Sequence, residues 1–442
     1  MRTRKRGKKG EDGGGEGPSQ GGKRKRQKTL EDGGASQEIV RQWLLWRSRL
    51  AGREGKDESR EESMGEHTDG YWADMVELCV AAQCQVPSAL CTAVLNRWGD
   101  LNGEDAGGDP PPTLEEMRAK MAEDPVVVRT WGPRRTLHLL RADNVYNVAR
   151  GASHIGDIRK RMLNRGDNLR VASADLIDAD VAAITRVLAE VGPEGLPKSD
   201  FKAHGLNVNT QYSMFQILVY SSMAVRSDVK DTSAPTLVPY PSIGPVTSDP
   251  EEAFDMLATE YFRTYGPADE RDFRYWLGAR KGETTPVVAR LEDRGILVPV
   301  QCSGEEKLIL GELKETFDAF VGGGGWAASP GRTPVVRLLG RFEPLILAHK
   351  DKSIWVDKAH YKKVWYYAEV ASGVTVDGKI VGKWKRTPKS SRSHPTLSVD
   401  IFPFSPSAAA MLKTLEDPIQ VQVDRLGRFY GHPEGGEFTF IS

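Results

Sequence analysis

The chain has 442 residues, of which 39% are apolar and 8% aromatic, and its formal net charge is zero. A chain of this length is too long for one hydrophobic core and predicts about three or four domains. It has no run of about eighteen apolar residues and no apolar N-terminal segment, so we expect neither a membrane span nor a secretory signal. The four cysteines form no CxxC pair and stand at no zinc-finger spacing from a histidine, which predicts reduced intracellular thiols and no metal centre.

The charge is unevenly distributed. Residues 1–36 hold eleven basic and five acidic residues with almost no apolar ones, which predicts a disordered basic tail. Its two Lys/Arg clusters are typical of nuclear-import signals or of a phosphate-binding arm, and a solubilising tail is the alternative. Import machinery would then be a partner and the nucleus the location in a eukaryote; otherwise we expect the cytoplasm or nucleoid. The remaining chain is net acidic, which excludes a protein that coats DNA non-specifically and leaves room for a local DNA patch.

Three helix-like segments followed by a β-rich segment recur three times after the tail. The predicted helices cover residues 38–50, 72–98 and 113–122, then 178–191, 199–204 and 210–223, then 250–265, 268–278 and 284–294. The closing strands lie at 126–131 with 135–140, at 236–240, and at 295–300 with 307–310. This order is typical of a winged helix-turn-helix, and generic α+β packing is the alternative. We predict three such domains at 37–150, with a polar insert at 51–69, at 151–248 and at 249–331.

The segment 332–442 changes to short apolar strands separated by turn signals. Asp377 and Gly378 form a strong hairpin signal between strands at 374–376 and 379–381, and another strand is expected at 397–402. With helices near 358–366 and 407–415, the segment predicts a small, mostly-β C-terminal domain. The chain as a whole is therefore expected to have an α+β fold.

Two glutamines one residue apart, Gln83 and Gln85, lie between two apolar helix-like segments. Val86 precedes a proline and is biased away from the helical region, whereas Pro87 suits the first turn of a helix. The glutamines therefore lie on a short extended link, on which residues i and i+2 face the same side. We expect a polar pocket that holds a water molecule, and the alternative is a pair of amides that cap neighbouring backbone groups.

Four blocks, in this order, resemble the AlkZ-type winged-helix DNA glycosylases; they are residues 83–89, 128–131 with 135–138, 266–278, and 338–353 with 376–384. The resemblance covers roughly residues 38–405. It implies three winged helices that form a concave DNA surface, a β-barrel-like C-terminal domain, and removal of alkylated purines, including crosslinked ones, from double-stranded DNA. The catalytic QxQ motif of the family maps onto Gln83 and Gln85. Gly340 stands where the family has proline, and Glu343 stands where it has aspartate.

The chemistry of glutamine limits what this motif can do. An amide only donates and accepts hydrogen bonds, so it is not a base at neutral pH. An N7- or N3-alkylated purine already carries a positive charge and leaves as a neutral base, so its hydrolysis needs a well-placed water more than deprotonation. We therefore expect Gln83 and Gln85 to position that water in a monofunctional glycosylase without a cofactor, a metal or a lyase step. A non-catalytic tandem winged-helix DNA-binding protein or regulator is the alternative, and an interaction scaffold is a third reading.

Further polar residues are candidates for DNA contacts. We expect Arg129 and Arg135 to grip phosphates, with surface salt bridges as the alternative. His138 is expected to contact a phosphate or a base edge, or to help a polar pocket, and a structural histidine is the alternative. In the C-terminal domain a basic segment with interleaved aromatics predicts a nucleic-acid surface, although the aromatics are more typical of a core. The phosphate ligands expected there are His349, Lys350, Lys352, Lys383, Lys385 and Arg386.

Overall fold

The computed structural model describes residues 34–51, 111–142, 174–206, 249–326, 331–387 and 396–441, most of 72–98, residue 148, and two strands at 223–227 and 235–239, with a few single residues inside these ranges left out. The predicted basic tail up to residue 33 and nearly all of the polar insert at 51–69 lie outside the described residues. The same holds for the helix predicted at 210–223, up to residue 222.

The first segment combines helices with a three-stranded antiparallel sheet in which β3 lies between β1 and β2. Its elements are α1 (Gln37–Arg47), β1 (Ala82–Gln83), α2 (Pro87–Leu95), α3 (Leu114–Glu123), β2 (Val127–Trp131) and β3 (Leu137–Arg141). Side-chain caps fix where α1 and α3 begin. The Ser36 hydroxyl accepts a hydrogen bond from the Ile39 N–H, and Thr113 forms a capping box with Glu116. The strand β1 divides the helix-like segment predicted at 72–98 at the place where the glutamines lie.

The second and third segments each end in antiparallel strands. The second contains α4 (Ala174–Val191), β4 (Leu196–Pro197), β5 (Met223–Ser227) and β6 (Pro235–Pro239), with β6 in the centre. The third contains α5 (Pro250–Tyr265), α6 (Glu270–Leu277), α7 (Lys281–Asp293) and the hairpin β7 (Leu297–Cys302) and β8 (Glu305–Leu310), followed by α8 (Lys314–Gly322). The predicted order of three helices and a hairpin is therefore present in the third segment. In the second, part of the helix predicted at 199–204 is a 3-10 turn (Lys198–Asp200).

The C-terminal segment is built on a five-stranded sheet with the order β15, β14, β13, β12, β9. Its elements are β9 (Val336–Leu339), α9 (Pro344–Ala348), α10 (Tyr361–Val364), β10 (Trp365–Tyr366), β11 (Glu369–Val370), β12 (Gly373–Val376), β13 (Lys379–Arg386), β14 (Leu397–Pro403), α11 (Pro406–Lys413), α12 (Glu416–Phe429) and β15 (Gly436–Phe440). The predicted Asp377-Gly378 turn is confirmed, since both residues have positive φ angles, 47° and 76°, between β12 and β13. The sheet order is linear within the described residues, so closure into a barrel stays a prediction. The chain is a mixture of helix and sheet, as an α+β fold requires.

Helix α2 joins the first segment to the C-terminal sheet. Leu90 of α2 shares a hydrophobic core with Val374 of β12 and Trp384 of β13. Just beyond α2, the buried guanidinium of Arg97 forms a two-pronged ion pair with Glu343, with N–O distances of 2.5 and 3.4 Å. Because α2 begins two residues after Gln85, this joint fixes the helix that anchors the glutamine link.

Among the described residues, no helix has both the length and the apolarity needed to cross a bilayer. The four cysteines are buried and form no disulfide. Burial raises the pKa of Cys84 to about 11, so the thiol between the two glutamines is uncharged at neutral pH.

Candidate active site

The glutamine link is extended, as its sequence predicts. Gln83 ends β1 and pairs with His138 on β3, and the Cys84 N–H donates to the Leu137 carbonyl at 2.7 Å. Val86 is extended, with φ of −120° and ψ of 94°, and the proline that follows it starts α2. The backbone between sheet and helix is therefore held at both ends, and it carries the two amides.

The two amides contact each other directly. Nε2 of Gln83 donates to Oε1 of Gln85 at 3.1 Å, and Oε1 of Gln83 accepts from Nη2 of Arg134 at 2.9 Å. Since a guanidinium only donates, the oxygen of Gln83 must face Arg134 and its nitrogen must face Gln85. Gln83 is buried with 8% of its surface exposed, whereas Gln85 is exposed. The pair therefore has an anchored member and a member that faces solvent.

Arg134 lies in the turn between β2 and β3 and was not among the residues predicted from the sequence. Its Nη1 donates to the Trp276 carbonyl at 2.6 Å, near the C-terminal end of α6. Arg134 and Arg135 have φ angles of 55° and 58°, a left-handed conformation that is strained for non-glycine residues and is common at functional sites. A Cβ atom on Gly278 would lie 3.1 Å from the Cα of Arg134, so this glycine lets the turn approach α6 closely.

His138 lies beneath the glutamine link, with none of its surface exposed. Its Nδ1 lies 2.7 Å from the Thr136 carbonyl, which can only accept, so Nδ1 carries the proton and Nε2 is unprotonated. Burial and, to a lesser extent, the Arg134 charge lower the pKa of His138 to about 3. The ring is therefore neutral and enclosed, and the predicted contact with a phosphate or a base edge is corrected to a place in the polar interior behind Gln83.

The two arginines predicted to grip phosphates have different positions. Arg129 is buried on β2, and its Nε donates to the Cys84 carbonyl at 2.9 Å. It therefore supports the backbone between the two glutamines, and the predicted phosphate contact is corrected because the interior excludes a DNA backbone. Arg135 is half-buried and lies in the turn rather than in the predicted strand, so a phosphate contact by Arg135 stays a prediction.

Two of the C-terminal candidates face the protein interior. Nε2 of the fully buried His349 lies 2.9 Å from the Tyr265 carbonyl. Nζ of Lys352 donates to the Ile346 and His349 carbonyls and lies 4.4 Å from the centre of the Tyr275 ring. Burial and the nearby charge of Arg134 lower the pKa of Lys352 to about 7. The predicted phosphate contacts are therefore corrected to interior contacts: His349 contacts the end of α5, and Lys352 joins α9 to α6.

The remaining candidates are accessible. Lys350 is exposed, and its backbone N–H donates to Asp272 at 2.9 Å. On β13, Lys385 and Arg386 are exposed and Lys383 is half-buried, with Nζ 5.5 Å from the Phe402 ring. These side chains face solvent, whereas those of His349 and Lys352 face the interior. The number of charges in the sequence does not record this difference.

A cleft of about 620 Å³ opens beside the glutamine link. Val86 and Ser88 line one wall, and three cations, Arg341, Lys385 and Arg386, line it from the C-terminal domain. No carboxylate is among the described residues that line the cleft. It therefore suits a polyanionic chain, and it begins at Val86, the residue after Gln85, while neither glutamine is among its lining residues.

The two departures from the family pattern have structural reasons. A Cβ atom on Gly340 would lie 2.9 Å from the Cβ of Thr92 and 3.0 Å from the Ala89 carbonyl oxygen, so α2 leaves no room for a side chain there. Glu343 is fully buried, pairs with Arg97 and accepts from the Leu345 N–H at the start of α9. Its carboxylate therefore joins two segments of the chain behind the cleft.

The known proteins that this chain resembles are DNA glycosylases. The family model of AlkZ-like DNA glycosylases matches residues 76–429, which include both glutamines and all residues that line the cleft except Tyr430. The interstrand DNA cross-link repair glycosylase of Streptomyces sahachiroi is 22% identical over 311 residues, covering 68% of this chain and 81% of that protein. The solved structure of the Streptomyces sahachiroi DNA glycosylase AlkZ superposes with a TM-score of 0.66 at 19% identity, covering 92% of this chain and 100% of that one, which shows a shared fold. This chain therefore belongs to the AlkZ-like DNA glycosylase family of enzymes, which act on N-glycosyl bonds.

Proposed function

We propose that this chain is a monofunctional DNA glycosylase that hydrolyses the N-glycosidic bond of N7- or N3-alkylated purines, with Gln83 and Gln85 positioning the attacking water. The observation that carries the proposal is the hydrogen-bonded pair of amides on the link that leads, through Val86, into the wall of a cleft lined by cations. Family membership favours this enzyme over the non-catalytic winged-helix binder or regulator and over the interaction scaffold.

The hydrogen bonds of the pair leave room for a water. Each side-chain oxygen has two lone pairs and uses one, Gln83 toward Arg134 and Gln85 toward Gln83. One lone pair on each oxygen remains to accept from a water, and the exposed amide group of Gln85 can also donate to it. A water held by both oxygens is oriented without losing a proton, which is sufficient when the leaving group is already activated.

The electrostatics of the site restrict the substrate. His138 is neutral, and the thiol of Cys84 keeps its proton because burial raises its pKa. The site has amides where a proton-accepting catalytic group would otherwise lie, so it suits a nucleobase that already carries a positive charge. The carbonyl dipoles of the glutamines stabilise the sugar cation that develops. Nζ of Lys352 is bound to two backbone carbonyls, which supports hydrolysis rather than attack by an amine.

The finer architecture is part of this proposal. The three helices and hairpin of the third segment support three tandem winged helices followed by a barrel-like domain, which together present a concave surface to double-stranded DNA. The curated relative is named for the repair of interstrand crosslinks. We include purines that form part of a crosslink among the substrates, because an open cleft that starts at Val86 accommodates a bulky substituent better than an enclosed pocket does.

The test is base release from alkylated duplex DNA, measured by mass spectrometry under single-turnover conditions with saturating enzyme. We expect wild-type protein to release 7-methylguanine, and Gln83→Ala and Gln85→Ala each to lower the rate on the order of a hundredfold, because catalysis by positioning is sensitive to small displacements. Gln301→Ala, which truncates an exposed glutamine on β7, is the matched control and should keep the wild-type rate.

Two results would contradict the proposal. Wild-type rates in both glutamine variants would remove the catalytic assignment. Salt-dependent duplex binding by wild-type protein without release of any base would instead support the non-catalytic DNA-binding alternative.

A further inference from the structure

Two adjacent tyrosines are exposed without a structural reason. Tyr366 and Tyr367 have 64% and 92% of their surface exposed, and among the described residues they are the large aromatic side chains left open to solvent. They lie at the tip of the short hairpin of β10 and β11, where Tyr367 has a φ of 54°. Their rings meet edge-on, with centroids 4.5 Å apart. A buried tyrosine would stabilise the core, so this exposed pair is a candidate for contact with a ligand.

The base of this hairpin is firmly anchored on the side of α6. The ring of Trp365, which precedes the tip, lies 5.2 Å from Nζ of Lys352, and the same amine lies 4.4 Å from the ring of Tyr275. Tyr275 neighbours Trp276, whose carbonyl holds Arg134 and through it Gln83. The hairpin and the amide pair are therefore fixed to the same helix.

The other strand of the hairpin leads to the cleft. Glu369 of β11 forms an ion pair with Arg341, and Arg341 and Ser372 both line the cleft beside the glutamine link. The tyrosine tip therefore projects at the rim of a cleft whose lining cations suit a phosphate backbone. Nucleobases lie next to the phosphates of a bound strand, so aromatic rings at this rim would meet bases.

We propose that the Tyr366–Tyr367 tip stacks on nucleobases that are left unpaired at the lesion. This inference rests on the proposed function, because it needs damaged DNA in the cleft. Tyrosine has few rotatable bonds and loses little entropy when it stacks, and base–aromatic stacking is tolerant of sequence because every base has a π-face. A fully paired duplex offers no free base face within its stack, whereas an abasic position does. The tip thus favours damaged over intact DNA independently of the chemical step.

The experiment compares two duplexes of one sequence, one fully paired and one with a tetrahydrofuran abasic analogue opposite thymine. Equilibrium affinities are measured by fluorescence anisotropy with the full chain, and thermal unfolding confirms that each variant is folded. We expect the double variant Tyr366→Ala/Tyr367→Ala to bind the abasic duplex about tenfold more weakly or worse, with little change for the paired duplex. Tyr366→Phe/Tyr367→Phe, which keeps both rings, should bind like wild type. Met256→Ala, an exposed apolar truncation elsewhere, is the matched control.

Three outcomes would overturn the inference: unchanged affinity of the double alanine variant for the abasic duplex, an equal loss on both duplexes, or the same loss in the phenylalanine variant. The first would leave the tip available to a protein partner, the second would assign it to the DNA backbone, and the third would assign the effect to the hydroxyl groups. Because no base is released in this assay, its result is separate from the base-release test of Gln83 and Gln85.

Discussion

The guanidinium of Arg134 donates a hydrogen bond to the side-chain oxygen of Gln83 at 2.9 Å, across 51 residues of sequence. The same guanidinium donates to the Trp276 carbonyl at 2.6 Å. A guanidinium can only donate, so the Gln83 amide cannot exchange its oxygen and nitrogen while Arg134 holds the oxygen. Through Arg134, α6 of the third segment therefore sets the orientation of the Gln83 amide in the first segment. The proposed water site therefore depends on two segments at once.

Truncation of Arg134 should impair catalysis through Gln83. In Arg134→Ala the amide loses the partner that fixes its oxygen, and we expect the single-turnover rate of 7-methylguanine release to fall about tenfold or more. Arg134→Lys keeps a charge but cannot bridge both carbonyls with a planar fork, so it should recover only part of the rate. Arg271→Ala, an exposed arginine on α6, is the control. An undiminished rate in Arg134→Ala at saturating enzyme would show that Gln83 needs no such anchor.

Local patterns predicted much of the fold. The helix at 250–265 has the predicted bounds, and the Asp377-Gly378 turn and the extended glutamine link formed where the sequence placed them. Each depends on residues within a few positions of one another. The helix α12 (Glu416–Phe429) was missed, because Pro418 and Gly427 interrupt its pattern. The glycine is required there by packing, since a Cβ atom on it would lie 2.0 Å from the Gly435 carbonyl oxygen.

The surroundings of the site were less predictable, because they are built from contacts between distant residues. Arg134 was missed since nothing local distinguishes it from Arg135; only the pairing of β1 with β3 brings the turn to Gln83. His349 and Lys352 were taken as surface cations because composition records charge but not direction, and both point inward. For Arg134, the available hint was its place in the predicted turn between two strands, next to Arg135.

The buried ion pair of Arg97 and Glu343 should be important for stability. Glu343→Gln leaves the guanidinium enclosed without a counter-charge, so we expect the free energy of unfolding to fall by about 3–5 kcal/mol, measured by urea denaturation. The double variant Arg97→Met/Glu343→Leu removes both charges and should regain most of that loss. Glu312→Gln, which breaks an exposed pair with Arg263, should change stability by less than about 1 kcal/mol. A loss in Glu343→Gln no larger than in this control would contradict the structural role.

The neutral His138 predicts a dependence of stability on pH. Its pKa is about 3 in the folded protein and about 6.5 when unfolded, so between these values the unfolded chain binds a proton that the folded chain does not. This residue therefore lowers the free energy of unfolding as the pH falls below 6.5, by about 1.4 kcal/mol per pH unit. His138→Asn keeps a donor for the Thr136 carbonyl but does not titrate. Urea denaturation at pH 7, 5.5 and 4.5 should show a smaller acid loss in the variant, and identical pH slopes would rule out the enclosed neutral ring.

The cations of the cleft should control non-specific affinity for DNA. Lys385 and Arg386 are exposed on β13, and the guanidinium of Arg386 lies 4.1 Å from the Tyr430 ring, which holds it at the cleft wall. Each phosphate contact that is lost should reduce the slope of log affinity against log salt by about 0.9, so Lys385→Ala/Arg386→Ala should flatten it by about 1.8.

The loss of affinity in Lys385→Ala/Arg386→Ala should be equal for paired and abasic duplexes, because phosphates carry no information about the lesion. This distinguishes the cleft cations from the tyrosine tip, whose removal should affect the abasic duplex alone. Lys314→Ala on α8 provides an exposed lysine whose loss should leave the slope unchanged. Counterion release reports every phosphate that a cation neutralises. If Lys385→Ala/Arg386→Ala shows the wild-type slope between 50 and 200 mM salt, the DNA passes elsewhere on the protein surface.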